Sequence, residues 1–242
     1  MRFASSMTAL AALGLGLMLP LTAKAGDYIV YSPHVAAGQS EVEFRGHRFD
    51  DGDAALSGEY SYQFSVAHAF TSWWKPEIYL GEYAHTPGGG QYLKAREFEN
   101  TFQLTEPGEY WADVGFLAAW EFKTQPGQSD EIEFGPLFER RDGRMVQRLN
   151  LIWERGIGSG AEREFEFRGA YSLSYQWRQT FAPGIEIYAL PEDNAYQLGP
   201  VFYGELASSR GNEFEYSAGL LAGINKSAPD LTLVLRLEYE FF

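Results

Sequence analysis

Glu164-Phe165-Glu166-Phe167-Arg168-Gly169-Ala170-Tyr171-Ser172-Leu173-Ser174-Tyr175-Gln176-Trp177 is the stretch whose reading decides the fold. Phe165, Phe167, Tyr171, Leu173, Tyr175 and Trp177 share one parity with Gly169. Glu164, Glu166, Arg168, Ala170, Ser172, Ser174 and Gln176 share the other. A period of two marks a strand with one apolar face and one polar face. The run outlasts the roughly 5–6 residues usual for strands in soluble sheets.

The same alternation recurs on both sides of it. Tyr60, Tyr62, Phe64 and Val66 alternate with Glu59, Ser61, Gln63 and Ser65; Ile132, Phe134 and Phe138 with Glu131, Glu133 and Glu139; Leu149, Leu151 and Trp153 with Arg148, Asn150 and Glu154. Turn chemistry separates the runs, as in Asp50-Asp51-Gly52-Asp53, Pro87-Gly88-Gly89-Gly90, Arg141-Asp142-Gly143 and Ala182-Pro183-Gly184. About twelve strands are expected, over 41–49, 55–68, 76–84, 92–104, 109–122, 130–139, 144–154, 163–177, 184–190, 195–207, 213–224 and 231–242. The third and fourth are the least regular, because Glu82 breaks the parity of Ile78 and Leu80 and because Lys94, Arg96 and Asn100 share a parity with Phe98 and Phe102. No segment keeps a helical period.

Composition narrows the function. The chain of 242 residues carries 19 Lys and Arg against 33 Asp and Glu, for a net charge of −14. That balance disfavours nucleic acid as a partner, since phosphate binding needs a basic face. There is no cysteine, which excludes disulfides, thiolate metal sites and a Cys nucleophile. Residues 1–25 read as a secretory signal peptide: Arg2, an apolar stretch from Met7 to Leu21, then Ala23-Lys24-Ala25 as a cleavage pattern. Cleavage removes two basic residues and no acid, so the remaining chain is more acidic still. Residues 26–40 are expected as a periplasmic N-terminal segment, and residues 41–242 as a single domain.

Alternating strands build either a soluble sandwich or lipocalin-like barrel, with the apolar face inside, or a membrane barrel with that face outward to lipid. Three features favour the membrane barrel. Most of the expected strands reach the roughly 9–11 residues a membrane crossing needs. The aromatics sit near strand ends, with Trp73, Trp74, Trp111 and Trp177 at alternate turns and Trp120 and Trp153 toward the opposite ends, as two membrane–water interfaces select. The polar parity carries charge in mid-strand.

The last strand adds a fourth feature. Leu233, Leu235, Leu237, Tyr239 and Phe241 alternate with Val234, Arg236, Glu238 and Glu240, and Phe242 follows. A signal peptide followed by a period-two chain with an aromatic terminal strand resembles the Gram-negative bacterial outer-membrane β-barrel proteins. The resemblance implies an all-β fold: a single closed antiparallel transmembrane up-and-down barrel of about twelve strands. It also implies a place in the cell outer membrane, with outer-membrane lipid and the barrel-assembly machinery as partners, and Leu235, Leu237, Tyr239, Phe241 and Phe242 as the assembly signal. A monomer is expected.

In such a barrel the polar parity faces the lumen. The charged residues expected there are Glu59, Glu97, Glu99, Asp113, Glu121, Glu131 and Glu133, then Arg148, Glu164, Glu166, Arg168, Glu186, Glu205, Arg236 and Glu238. Twelve strands fall between barrels filled by side chains and barrels with an open channel. An excess of carboxylates suits a narrow channel or facilitator for small, cationic solutes. The alternative is a lumen closed by Glu–Arg pairs, giving a non-conducting structural or partner-binding barrel of an exported complex. A lipid-modifying enzyme is the remaining alternative, with His68 near a strand end on the apolar parity. No catalytic residue, cofactor fingerprint or metal-ligand spacing is otherwise evident: Gly158-Ser159-Gly160 lacks nucleophile-elbow spacing, and the four His have no paired spacing. If Leu235 faces lipid, Leu235→Arg should cost roughly 2–4 kcal/mol. Urea titration of the folded protein in bilayers would measure it, and a cost near zero would place Leu235 elsewhere.

Overall fold

The computed structural model describes residues 28–161, 163–207 and 212–242, so the expected signal peptide lies outside the described residues. Twelve strands form: β1 Ser40–Asp50, β2 Tyr60–His68, β3 Trp74–His85, β4 Gln91–Gln103, β5 Asp113–Lys123, β6 Asp130–Asp142, β7 Met145–Ile157, β8 Glu166–Tyr175, β9 Ala182–Leu190, β10 Ala195–Ala207, β11 Glu213–Gly223 and β12 Leu231–Phe241. Each pairs antiparallel with the next, and β12 returns to β1, so the sheet is a closed barrel. The closing seam runs the full length of both strands, from Ser40 opposite Phe241 to Asp50 opposite Leu231. Closure leaves no strand edge with unpaired N–H and C=O groups.

The apolar parity points outward. Phe64, Ile78, Leu80, Phe98, Leu220 and Leu235 lie exposed on the outer face, whereas Glu99, Glu121, Glu133, Arg168 and Glu186 are buried inside. The parity break at Glu82 has a local cause. The β3 register slips between Tyr79 and Glu82, where Leu80 is the residue left out of both ladders. One extra residue flips every later side chain to the other face. Glu82 therefore points inward, where its carboxylate accepts from Ser61 at 2.7 Å and from Lys94 at 2.8 Å. Lys94 joins it through a second slip, between the pairs Glu82–Ala95 and Tyr83–Leu93.

Three expected strand starts are too early. Residues before Tyr60 form a turn in which the Asp53 carbonyl accepts from the Leu56 and Ser57 amides and the Asp53 carboxylate from the Ala55 amide at 2.9 Å. β5 waits until Asp113, whose carboxylate caps the preceding turn at the Gly108 amide, 2.6 Å away. β8 begins at Glu166, which leaves Glu164 exposed in the preceding turn and outside the lumen. Short polar side chains bond backbone amides in place of a strand partner at the first two positions. Glu59 lies one residue outside β2 at the same rim as this turn.

The start of β1 and the end of β12 define one end of the barrel, the terminal end. Trp73, Trp74, Trp111 and Trp177 lie at that terminal end, and Trp120 and Trp153 toward the far end. Trp73 stacks on Phe102 across the β3–β4 pair, and Trp153 meets Phe167 across β7–β8. The C-terminal residues occupy the seam: Leu235 faces Gly46, Leu237 faces Phe44, Tyr239 faces Val42 and Phe241 faces Ser40, while Phe242 extends past β12.

Gly199 and Pro200 interrupt the side-by-side pairing of β10 with β11 between Leu198 and Val201. Pro200 has no N–H to give to the ladder. A Cβ on Gly199 would stand 1.9 Å from the Leu220 carbonyl oxygen, where backbone cannot yield cheaply. Gly199→Ala should destabilise the barrel by roughly 1–3 kcal/mol. Gly90→Ala meets nothing within 4 Å and should change little. Urea midpoints measured side by side would check both, and equal midpoints would show that the close approach relaxes freely.

Candidate functional site

Residues 26–40 are the expected periplasmic N-terminal segment; of its described residues, Tyr28 to Gln39 thread the lumen and Ser40 already begins β1. Ile29, Val30, Pro33 and Val35 are buried there. Tyr28 packs edge-on against Phe49 and Tyr188, toward the far end. At the terminal end, Gly38 donates to the Ala69 carbonyl and Ala69 donates to Gln39, which turns the chain into β1.

Two apolar clusters hold the segment. Ile29 and Tyr31 pack with Leu117, Ala119, Leu137 and Ile152 of β5, β6 and β7. Val30 packs with Ala170, Tyr188, Val201, Leu221 and Val234 of the opposite wall. These wall residues sit on the inward parity, among the acids. Each buried aliphatic side chain of the segment contributes roughly 1.5–3 kcal/mol, more than a typical net hydrogen bond of about 0.5–1.5 kcal/mol. Apolar contact therefore dominates the attachment, and polar groups set its register.

Asn150 of β7 acts as a one-residue strand partner. Its Oδ1 accepts from the Tyr31 amide at 2.6 Å, and its Nδ2 donates to the Tyr31 carbonyl at 3.1 Å. Gln103 Oε1 accepts from the Val35 amide at 2.8 Å. His34 Nε2 lies 2.9 Å from Asp113 Oδ2, and Ser32 Oγ donates to Glu139. The Arg45 guanidinium stacks on Tyr79, 4.4 Å from its ring centre, and donates to the Tyr31 hydroxyl. Gly115 has no side chain for a reason: a Cβ there would stand 2.8 Å from Pro33 Cβ.

Ion pairs complete the far half. Glu121 and Glu131 share Lys123 at 2.5 and 2.8 Å, and Arg168 bridges Glu133 and Glu154 at 2.8 and 2.9 Å. Such pairing is the normal fate of confined charge. The terminal half is hollow. A polar cavity of about 550 Å³ opens there, between the turns that carry Ser72 and Glu106. A second, of about 180 Å³, adjoins it and shares Arg141, Arg148, Glu215 and Arg236.

Most of the expected lumen charges are where the alternation placed them. Glu97, Glu99, Asp113, Glu186, Arg236 and Glu238 face the interior together with the paired residues above, and Glu166, Arg148 and Glu205 follow the same parity. Sequence reasoning missed Glu82 because the β3 bulge flips its parity; it also missed Lys75 and Glu77, which precede the bulge and were marked by the parity opposite Ile78 and Leu80. It missed Asn150 as a pin because nothing local marks it. His68 does meet a serine: its Nδ1 lies 2.9 Å from Ser40 Oγ on the outer rim. Its ring also lies edge-on to Phe70, with 4.7 Å between centres, and among the described residues no carboxylate hydrogen-bonds it.

No family model matches the chain, and no curated protein matches it. A solved structure described as a bacterial polysaccharide outer membrane secretin is similar over 85% of this chain and 99% of its own, at 10% identity and a TM-score of 0.34. A likeness that slight carries no argument, and the barrel stands on its own closed register.

Asn150→Ala would strand two buried backbone groups and should loosen the segment by roughly 1–3 kcal/mol. The chain has no cysteine, so Val30→Cys supplies a lone reporter thiol. It should resist a maleimide in the parent barrel and react in the Asn150→Ala background. Equal labelling in both would remove Asn150 as the pin.

Proposed function

We propose that the chain is an outer-membrane β-barrel whose lumen is closed by its own N-terminal segment, and that it works as a non-conducting binding barrel. The single observation that carries this reading is the packing of Ile29, Val30 and Tyr31 into two apolar clusters that reach both walls. An open pore keeps its lumen wet, whereas Leu117, Leu137, Ile152 and Val201 face inward as a core does. The outward apolar parity supports lipid as the surroundings, because a water-soluble barrel would expose Ile78, Leu80 and Leu220 at a cost. The hollow terminal half, rich in carboxylates, then forms a chamber for a cationic group. In the outer-membrane reading the start of β1 and the end of β12 lie on the periplasmic side, so the chamber opens there.

The acid excess of the lining also favours a second reading, the narrow passage for small cations. It requires the segment to leave the lumen. Planar-bilayer recording separates the two. The intact barrel should be silent, and deletion of residues 28–35 should open a cation-preferring conductance. Steady conductance from the intact barrel would reject the closed-barrel reading, and anion preference after the deletion would reject the acidic passage.

A further inference from the structure

We propose that the terminal chamber holds a divalent-cation site on the closing seam, with Glu41, Glu238 and Glu240 as its ligands. Their carboxylate oxygens lie within 4.8 Å of one another. Oxygens bound at about 2.3–2.6 Å to one Ca²⁺ span such distances.

The register creates the cluster. Glu41 pairs with Glu240 and Glu43 with Glu238 across β1–β12. On the other side of β12, Glu213 pairs with Glu240 and Glu215 with Glu238. Two adjacent rungs therefore carry three carboxylates each, and like charges directly opposite destabilise a sheet. The bases nearby compensate in part. Lys75 Nζ is 2.6 Å from Glu41 Oε2, and Arg45 and Arg236 each approach Glu43 only to 3.7 Å. Gln39 donates its amide to Glu240 at 2.5 Å.

A separate observation points to a cation at this place. The Glu43 side chain is nine-tenths buried, it lines the same cavity directly across from Glu238, and its Oε1 has no hydrogen-bond partner. Glu99, 1% exposed, lines that cavity with an unpartnered Oε2 as well. Carboxylate oxygens buried without a donor are costly, and a double positive charge on the two rungs offsets that cost. An all-carboxylate donor set with room for waters suits a hard, flexible ion such as Ca²⁺. Lys75 competes for Glu41, so affinity falls in the weaker range, with Kd of about 10⁻⁴–10⁻³ M. A bound ion would clip the first strand to the last. The site holds whether or not the lumen conducts.

The test uses the full mature barrel in detergent, with Tb³⁺ alone as the probe and Ca²⁺ as its competitor. Tb³⁺ luminescence should saturate and be displaced by Ca²⁺. Glu238→Gln and Glu240→Gln should weaken binding by roughly tenfold or more, while Glu205→Gln and Glu192→Gln leave it unchanged. Unaltered binding in the first pair would overturn the site, and a loss with Glu205→Gln would move it to the neighbouring group Glu205, Glu213 and Glu215. The unsubstituted protein gives an independent reading should the variants fold poorly. Ca²⁺ should slow carbodiimide labelling of Glu238 and Glu240 relative to exposed Glu192, and no protection would end the proposal.

Discussion

Closure of the backbone ladder is the constraint on which the rest depends. Once β12 pairs with β1 along eleven residues each, every strand has two neighbours. Each side chain must then point either out of the ring or toward its axis, with nothing between. Outward positions take aliphatic and aromatic groups. Inward positions meet one another across a narrow space, so each must find a partner or leave a void.

The far and terminal halves resolve that crowding differently. In the far half, acids meet Lys94, Lys123 and Arg168, and the apolar inward residues meet Ile29, Val30 and Tyr31. The N-terminal segment thus serves as the core the barrel would otherwise lack. In the terminal half the segment narrows to the turn at Gly38, and a cavity remains. Its carboxylates outnumber its bases, with Glu41, Glu43, Glu238 and Glu240 gathered where the first and last strands meet. Closed side and hollow side together support the reading of a binding barrel open at one end.

The alternation decided a great deal by itself. All twelve strands were legible, because period two survives in the sequence whatever the strands pair with. The inward charges were legible for the same reason, except where a local irregularity intervened. Glu164 falls in a turn, and the β3 bulge flips Glu82 off the parity that Ile78 and Leu80 set. Leu117, Leu137 and Ile152 were harder still: an apolar residue on the polar parity looks like noise until its partner is known.

What the sequence determined alone was the strand set, the division of each strand into an apolar and a polar parity, and the acidity of the polar one, since each is a property of neighbours one or two residues apart. Only the tertiary structure decided that residues 28–39 run through the lumen. It also decided that Asn150 clasps Tyr31 and that Glu41 meets Glu240. Those contacts join positions separated by more than a hundred residues, and only the ring closure brings such positions together.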